Sequence, residues 1–283
     1  MNYLIILGIC LLSTMKVSFQ SVFAKKGVKT ISDSVFFIGM IFLFSSLAFI
    51  PKIAEANLTI WIYAALFGAF SVAFQLIYTL ALSEGNVSLA VMFANFGMLV
   101  PIAISCFVYG EKPSALRITG IALTALAFIV TVKPGGKTTK KAFLLCVGAM
   151  LTNGAGSGVQ KFFSATEHSS KNFAYVAAAY LTAAVIAALC YIVLLLKGRP
   201  KTFRITKRPV LSAFAAGVSL AVYLALNTYA TATIDGTFLF PAHAGGSIIF
   251  STVSGILFFK DRLTPRQVVA LCLGTVSIVL MNF

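Results

Sequence analysis

From residue 56 to residue 83 the chain runs for 28 residues without a charged side chain, and comparable uncharged runs cover 172–196 and 209–234. A soluble protein cannot hide such stretches in succession, because a single core buries a limited share of a chain. A hydrocarbon layer about 30 Å thick accepts them, since roughly 20 residues of helix span it. The composition agrees: 59% of residues are hydrophobic, 10% are charged and the mean hydropathy is +0.98. Reading runs bounded by charges, Gly and Pro gives ten spans, at 3–24, 33–50, 58–82, 86–109, 114–132, 141–163, 172–196, 208–231, 235–258 and 264–282. None has the alternation of a membrane β-strand. The expected fold is an all-α integral membrane protein with ten transmembrane helices, joined by connections too short to form a soluble domain.

Within this series the sequence repeats. "FVYGEKPSALRITGIALTALAFIV" (107–130) and "LFFKDRLTPRQVVALCLGTVSIVL" (257–280) align at an offset of 150 positions. Glu111 then meets Asp261, Lys112 meets Arg262, Ser114 meets Thr264, and Gly120 meets Ala270. Such internal similarity decides architecture before any other reading. The polar segment "KPGGKTTK" (133–140), with its helix-stopping Pro134, divides the chain into 1–132 and 141–283, five spans on each side. After an odd number of spans the second repeat enters from the opposite face. The halves are then related by a two-fold axis in the membrane plane. This is the inverted-repeat plan of secondary transporters, with the substrate site near the midplane.

These residues resemble the EamA branch of the drug/metabolite transporter superfamily. "VYGEKPSALRITGIAL" and "FFKDRLTPRQVVALCL" are similar to that family's repeated Gly-Glu-Arg/Lys element and the helix after it. "LALSEGNVSLAVMFANFGMLVPI" is similar to its third and fourth helices, with Pro101 in the fourth. "SVFAKKG" and "SGVQKFF" align Ser21 with Ser157 and Lys25 with Lys161. Lys260 stands where a second Gly is expected, and the aromatic-Gly-Ser start of the first helix is absent. The resemblance implies a multi-pass transporter in a bacterial cytoplasmic membrane. It would move a small polar or amphipathic metabolite, amino acid-like or drug-like, outward by alternating access with proton or solute exchange. It also implies cytoplasmic termini. The charge bias says otherwise: loops on one face hold 16 Lys/Arg and the opposite face four, which puts the first face inside and both termini outside.

Polar side chains inside spans point to a site, because each costs free energy unless partnered or solvated. Ser13, Lys16 and Gln20 share one face of the first helix, and Asn153, Ser157 and Gln160 form the matching stripe in the sixth. Gln75 and Tyr78 of the third correspond to Tyr223 and Asn227 of the eighth; Asn95 lies in the fourth, and His243 with Ser247 in the ninth. The expected substrate-binding set is Lys16, Gln20, Gln75, Tyr78, Asn95, Asn153, Ser157, Tyr223, Asn227 and His243. Lys16 is its sharpest member. It lies roughly 20 Å into its helix, where a charge costs roughly 2.5–3.5 kcal/mol. It serves either as a fixed cation for a substrate carboxylate or phosphate, or as an ammonium bonded to backbone carbonyls. His243 is either a proton carrier or a neutral hydrogen-bonding imidazole. Glu84 and Asp235, at turns between spans, read as helix caps. Glu111–Lys112 and Asp261–Arg262 read as pairs that hold tight turns.

The remaining features are plain. The five cysteines lie in spans, without metal or redox spacing, and read as apolar fillers. Gly154-x-x-x-Gly158 and Gly245-Gly246 read as close-packing helix surfaces. The first span lacks a basic leader and a cleavage site, so it reads as a retained helix. The net charge of +15 is spread over loops, and its densest cluster, 197–209, suits anionic lipid head groups rather than nucleic acid. There is no G-x-x-x-x-G-K-[ST] loop, and no cofactor or metal is expected. Two other functions compete with this one. A sugar-phosphate or nucleotide-sugar antiporter would use Lys16, Lys25 and Lys161. An intramembrane enzyme would need a nucleophile with its base, or a metal set, and no such set appears.

Overall fold

The computed structural model describes residues 2–27, 30–83, 93–131, 139–199, 201–202, 205–259 and 265–280. All regular structure among them is helical. The first part of the chain forms α1 (Asn2–Gly27), α2 (Ile31–Leu47), α3 (Leu58–Ser83), α4 (Leu99–Phe107) and α5 (Ala115–Thr131). The second forms α6 (Lys140–Ser164), α7 (Asn172–Leu196), α8 (Lys207–Thr233), α9 (Gly236–Phe259) and α10 (Pro265–Leu280). Among the described residues, Leu58–Tyr78, Lys140–Ser164, Ser169–Leu196 and Lys207–Thr233 are long and apolar enough to cross a membrane, and shorter apolar helices accompany them. α7 occupies the uncharged run 172–196 from end to end. Glu84, Lys260, Asp261, Arg262 and most of the 133–140 segment lie outside the described residues.

Helix ends follow from local polar groups. Thr30 and Asp33 form a capping box at the start of α2: the Thr30 hydroxyl accepts from Asp33 N–H (3.2 Å), and the Asp33 carboxylate accepts from Thr30 N–H (2.9 Å). Asp33 is buried and also accepts the Thr202 hydroxyl at 2.8 Å, which ties α2 to the connection between α7 and α8. Asn57, Ser114 and Thr139 accept backbone N–H groups at the starts of α3, α5 and α6. α7 ends on Gly198, whose φ of +68° suits glycine. There the N–H groups of Gly198 and Arg199 reach back to the carbonyls of Leu195 and Leu194, both at 2.9 Å.

Small residues are prominent where helices meet, beside large buried rings such as Tyr175, Tyr180, Phe37 and Phe42. α7 buries Ala174, Ala177, Ala178, Ala179, Ala183 and Ala187, while Leu189, Val193 and Leu196 are exposed. In lipid the hydrophobic effect does not drive helix association, so backbones must approach closely for dispersion and polar contacts to hold them. Packing partners are reciprocal. α3 packs on α6 and α1 on α8; α3 packs on α7 and α2 on α8; α2 packs on α7, and α5 on α10. Shifting every helix by five positions exchanges the members of the first two pairings and maps the last two onto themselves. Glycines follow the same rule. A Cβ on Gly68 of α3 would meet the Ala179 carbonyl of α7 at 2.8 Å, and one on Gly217 of α8 would meet the Ile41 carbonyl of α2 at 2.7 Å. At the contact of α5 with α10, the buried Thr124 hydroxyl donates to Ser277 Oγ (3.0 Å).

Candidate functional site

Six helices, α1–α3 and α6–α8, line a partly open cavity of about 190 Å³. From α1 come Ser13, Lys16 and Val17. From α3 come Phe67, Phe70, Ser71, Phe74 and Gln75, whose i, i+3, i+4, i+7, i+8 spacing places them on one helical face. From α6 come Thr152, Asn153, Gly156, Ser157 and Gln160. Phe42, Tyr180, Leu220, Tyr223 and Leu224 complete the wall.

Lys16 supplies the cavity's only charge among its described lining residues. It is half-buried, and its ammonium has no hydrogen bond or ion pair among the described residues. Asn153 donates to the Ala94 carbonyl at 2.8 Å, fixing its side chain against the chain just before α4. Ser13 and Thr152 spend their hydroxyl protons on carbonyls of their own helices.

One end of the cavity is sealed. Gln160 donates to Thr228 Oγ1 and accepts from Asn227 Nδ2, both at 2.9 Å and buried. Nearly one turn further along α6, Phe163 stacks on Tyr175 with ring centroids 4.0 Å apart, and Tyr63 and Phe67 meet these rings edge-on. Two ion pairs accompany this plug, one of them from Lys161, which follows Gln160 on α6. Lys161 Nζ is 2.8 Å from Glu111 Oε1, with side chains 8% and 15% exposed. The other Glu111 oxygen accepts the Thr237 N–H (3.1 Å) at the start of α9, where free N–H groups and the helix dipole favour an anion. Arg117 Nη1 meets Asp235 Oδ2 at 3.1 Å. Each of these contacts runs from the first half of the chain to the second. The ion pair that the sequence suggested within the 111–112 turn therefore lies across the molecule: Glu111 pairs with Lys161. Asp235 directly precedes α9 and its carbonyl accepts from Phe238 and Leu239, in keeping with a helix-start role.

Of the residues expected from sequence, Lys16, Gln75, Asn153, Ser157 and Tyr223 line the cavity. Asn227 stands behind Gln160 in the seal. His243 lies behind Tyr223, ring centroids 5.6 Å apart; its buried Nε2 has no hydrogen-bond partner among the described residues. Tyr78 stacks on Phe74 (5.4 Å) and packs near Ala81 and Cys146. Asn95 sits in the helical turn before α4, its carbonyl accepting Met98 N–H at 3.1 Å. Neither Tyr78 nor Asn95 is among the described lining residues. The side chains of Gln20 and Lys25 lie outside the described residues. Sequence reasoning passed over Phe67, Phe70 and Phe74, which share a face with Gln75; that stripe was the available signal.

Among the described residues the fold is all-helical, with four helices long and apolar enough to cross a membrane and a chamber of mixed polar and aromatic lining between two sets of helices. Residues 3–133 match the family model of the EamA-like transporter family. A solved crystal structure, 15% identical in sequence, superposes with a TM-score of 0.78 over 99% of this chain and 95% of its own, so the two share a fold. No curated protein matches the chain. The matched model is one of transporters.

Proposed function

We propose that the chain is a secondary transporter of two inverted five-helix repeats, 1–132 and 141–283, forming ten transmembrane helices. It moves a small polar or amphipathic metabolite outward across the cytoplasmic membrane by alternating access, coupled to proton or solute exchange. The observation that carries this reading is the cavity itself, built from three helices of each half with polar side chains turned inward. The reciprocal packing of α3 on α6 and α1 on α8 supports the two-fold relation. The sealed end supplies one of the two closures that alternating access requires, with the Glu111–Lys161 and Arg117–Asp235 pairs as its latch. A phosphate-ester antiporter loses support, because Lys161 is committed to Glu111 and leaves fewer basic groups for a dianion.

The test is a comparison of metabolites inside and outside cells that over-express the protein, with a Lys16→Met control. At least one solute should leave faster with the wild-type protein than with the control. Identical metabolite profiles in both strains and in cells without the protein would sink the proposal.

A further inference from the structure

The cavity combines two features that specify a ligand class. Its single charge among the described lining residues is the Lys16 ammonium, and six of its lining residues are aromatic: Phe42, Phe67, Phe70, Phe74, Tyr180 and Tyr223. The chain has seven Asp/Glu in all. The five that are described (Asp33, Glu55, Glu111, Glu167 and Asp235) lie at helix ends or connections, and none lines the cavity. Glu84 and Asp261 lie outside the described residues.

We infer that the site selects a small organic monoanion with one planar apolar ring, its anionic group on Lys16 and its ring among the phenylalanines. This rests on the transporter reading of the same cavity and narrows its substrate. Charge balance separates the ligand classes. A monoanion brings the site to neutrality. A zwitterion leaves a net positive charge, and its ammonium meets no carboxylate among the described lining residues; a desolvated, unpaired charge is costly. A cation faces repulsion from Lys16 as well. Size points the same way. A cavity of about 150 Å³ holds benzene, whereas drug-sized ligands need about 300 Å³ or more. At about 190 Å³ this cavity has room for a ring and a carboxylate.

The experiment is calorimetric titration of the purified full-length protein with five probes. They are phenylacetate, its neutral amide phenylacetamide, the cation phenethylamine, the zwitterion phenylalanine, and acetate, which lacks the ring. Phenylacetate should bind at least tenfold tighter than each of the others. Lys16→Met should bring phenylacetate down to the level of the amide while leaving the amide unchanged, which also shows that the variant is folded. Lys16→Glu should turn the preference toward phenethylamine. Tighter or equal binding of the amine or the zwitterion, an unchanged preference in Lys16→Met, or no binding of any probe overturns the inference. Flux of the same probes in proteoliposomes separates it from the transport proposal. Phenylacetate that binds but never crosses refutes transport alone, whereas flux of the amine or zwitterion with no preference for phenylacetate refutes the monoanion alone.

Discussion

Removing the charge of Glu111 tests the latch most directly. Its carboxylate receives Lys161 Nζ at 2.8 Å and the Thr237 N–H at 3.1 Å, in a site where neither side chain of the ion pair is more than 15% exposed. Breaking a buried pair by removing one partner costs roughly 3–5 kcal/mol, because the other charge stays behind uncompensated. Glu111→Gln leaves one acceptor oxygen, enough for one of the two donors, and removes the charge, so about 2 kcal/mol is expected; Glu111→Ala should approach the full cost. Combining Glu111→Gln with Lys161→Met removes the orphaned ammonium, and the double variant should be more stable than the two single losses predict. Unfolding in mixed micelles by increasing SDS measures all three. Function reads the same energy differently. With a single cysteine at Ser157, labelling by a membrane-impermeant maleimide from the Glu111 side should rise by up to about 30-fold, since each 1.4 kcal/mol shifts a population tenfold. Strictly additive stabilities together with unchanged labelling would refute the latch.

Two further outcomes are expected. Gly68→Ala and Gly217→Ala each push a methyl group against a carbonyl 2.7–2.8 Å away, so each should lower stability by roughly 1–3 kcal/mol in the same micelle assay, and the losses should add because the interfaces are separate; full stability in either variant would show that the helices do not touch there. We also propose that the 197–209 segment, where Lys201 lies 5.3 Å over the Phe36 ring, holds anionic lipid. Changing Lys201, Lys207 and Arg208 to Gln should weaken association of spin-labelled phosphatidylglycerol by about 1 kcal/mol per charge and leave phosphatidylcholine unaffected; an equal effect on both lipids would rule the contact out.

Helix positions were legible because an uncharged run has one stable form in lipid, and α7 coincides with the expected 172–196. The polar stripes were legible for the same reason. A Lys or Asn within a span needs water or a partner, and Lys16 and Asn153 do face one chamber. Depth alone did not separate Tyr78 or Asn227 from their cavity-facing neighbours, because a residue one turn away can turn to another helix. The aromatic wall was legible only through its shared helical face with Gln75, because in a chain with 26 Phe a ring in a span is most often packing or lipid contact. The partner of Glu111 was invisible, since Lys161 lies 50 residues away and only the approach of α6 to the turn before α5 unites them.

The charge on Lys16 bears on how such a carrier would use membrane voltage. Loaded with a monoanion, the chamber is electrically silent, so the loaded step proceeds with little help or hindrance from the field. Emptied, it carries one fixed positive charge whose access to the two solutions must be exchanged. An inside-negative potential is worth about 2.3 kcal/mol per charge for each 100 mV crossed in full. For an outward carrier that force draws the vacant site back toward the cytoplasm. The voltage would then act on the resetting of the carrier rather than on its cargo, and the turnover rate would follow membrane potential even where substrate affinity does not.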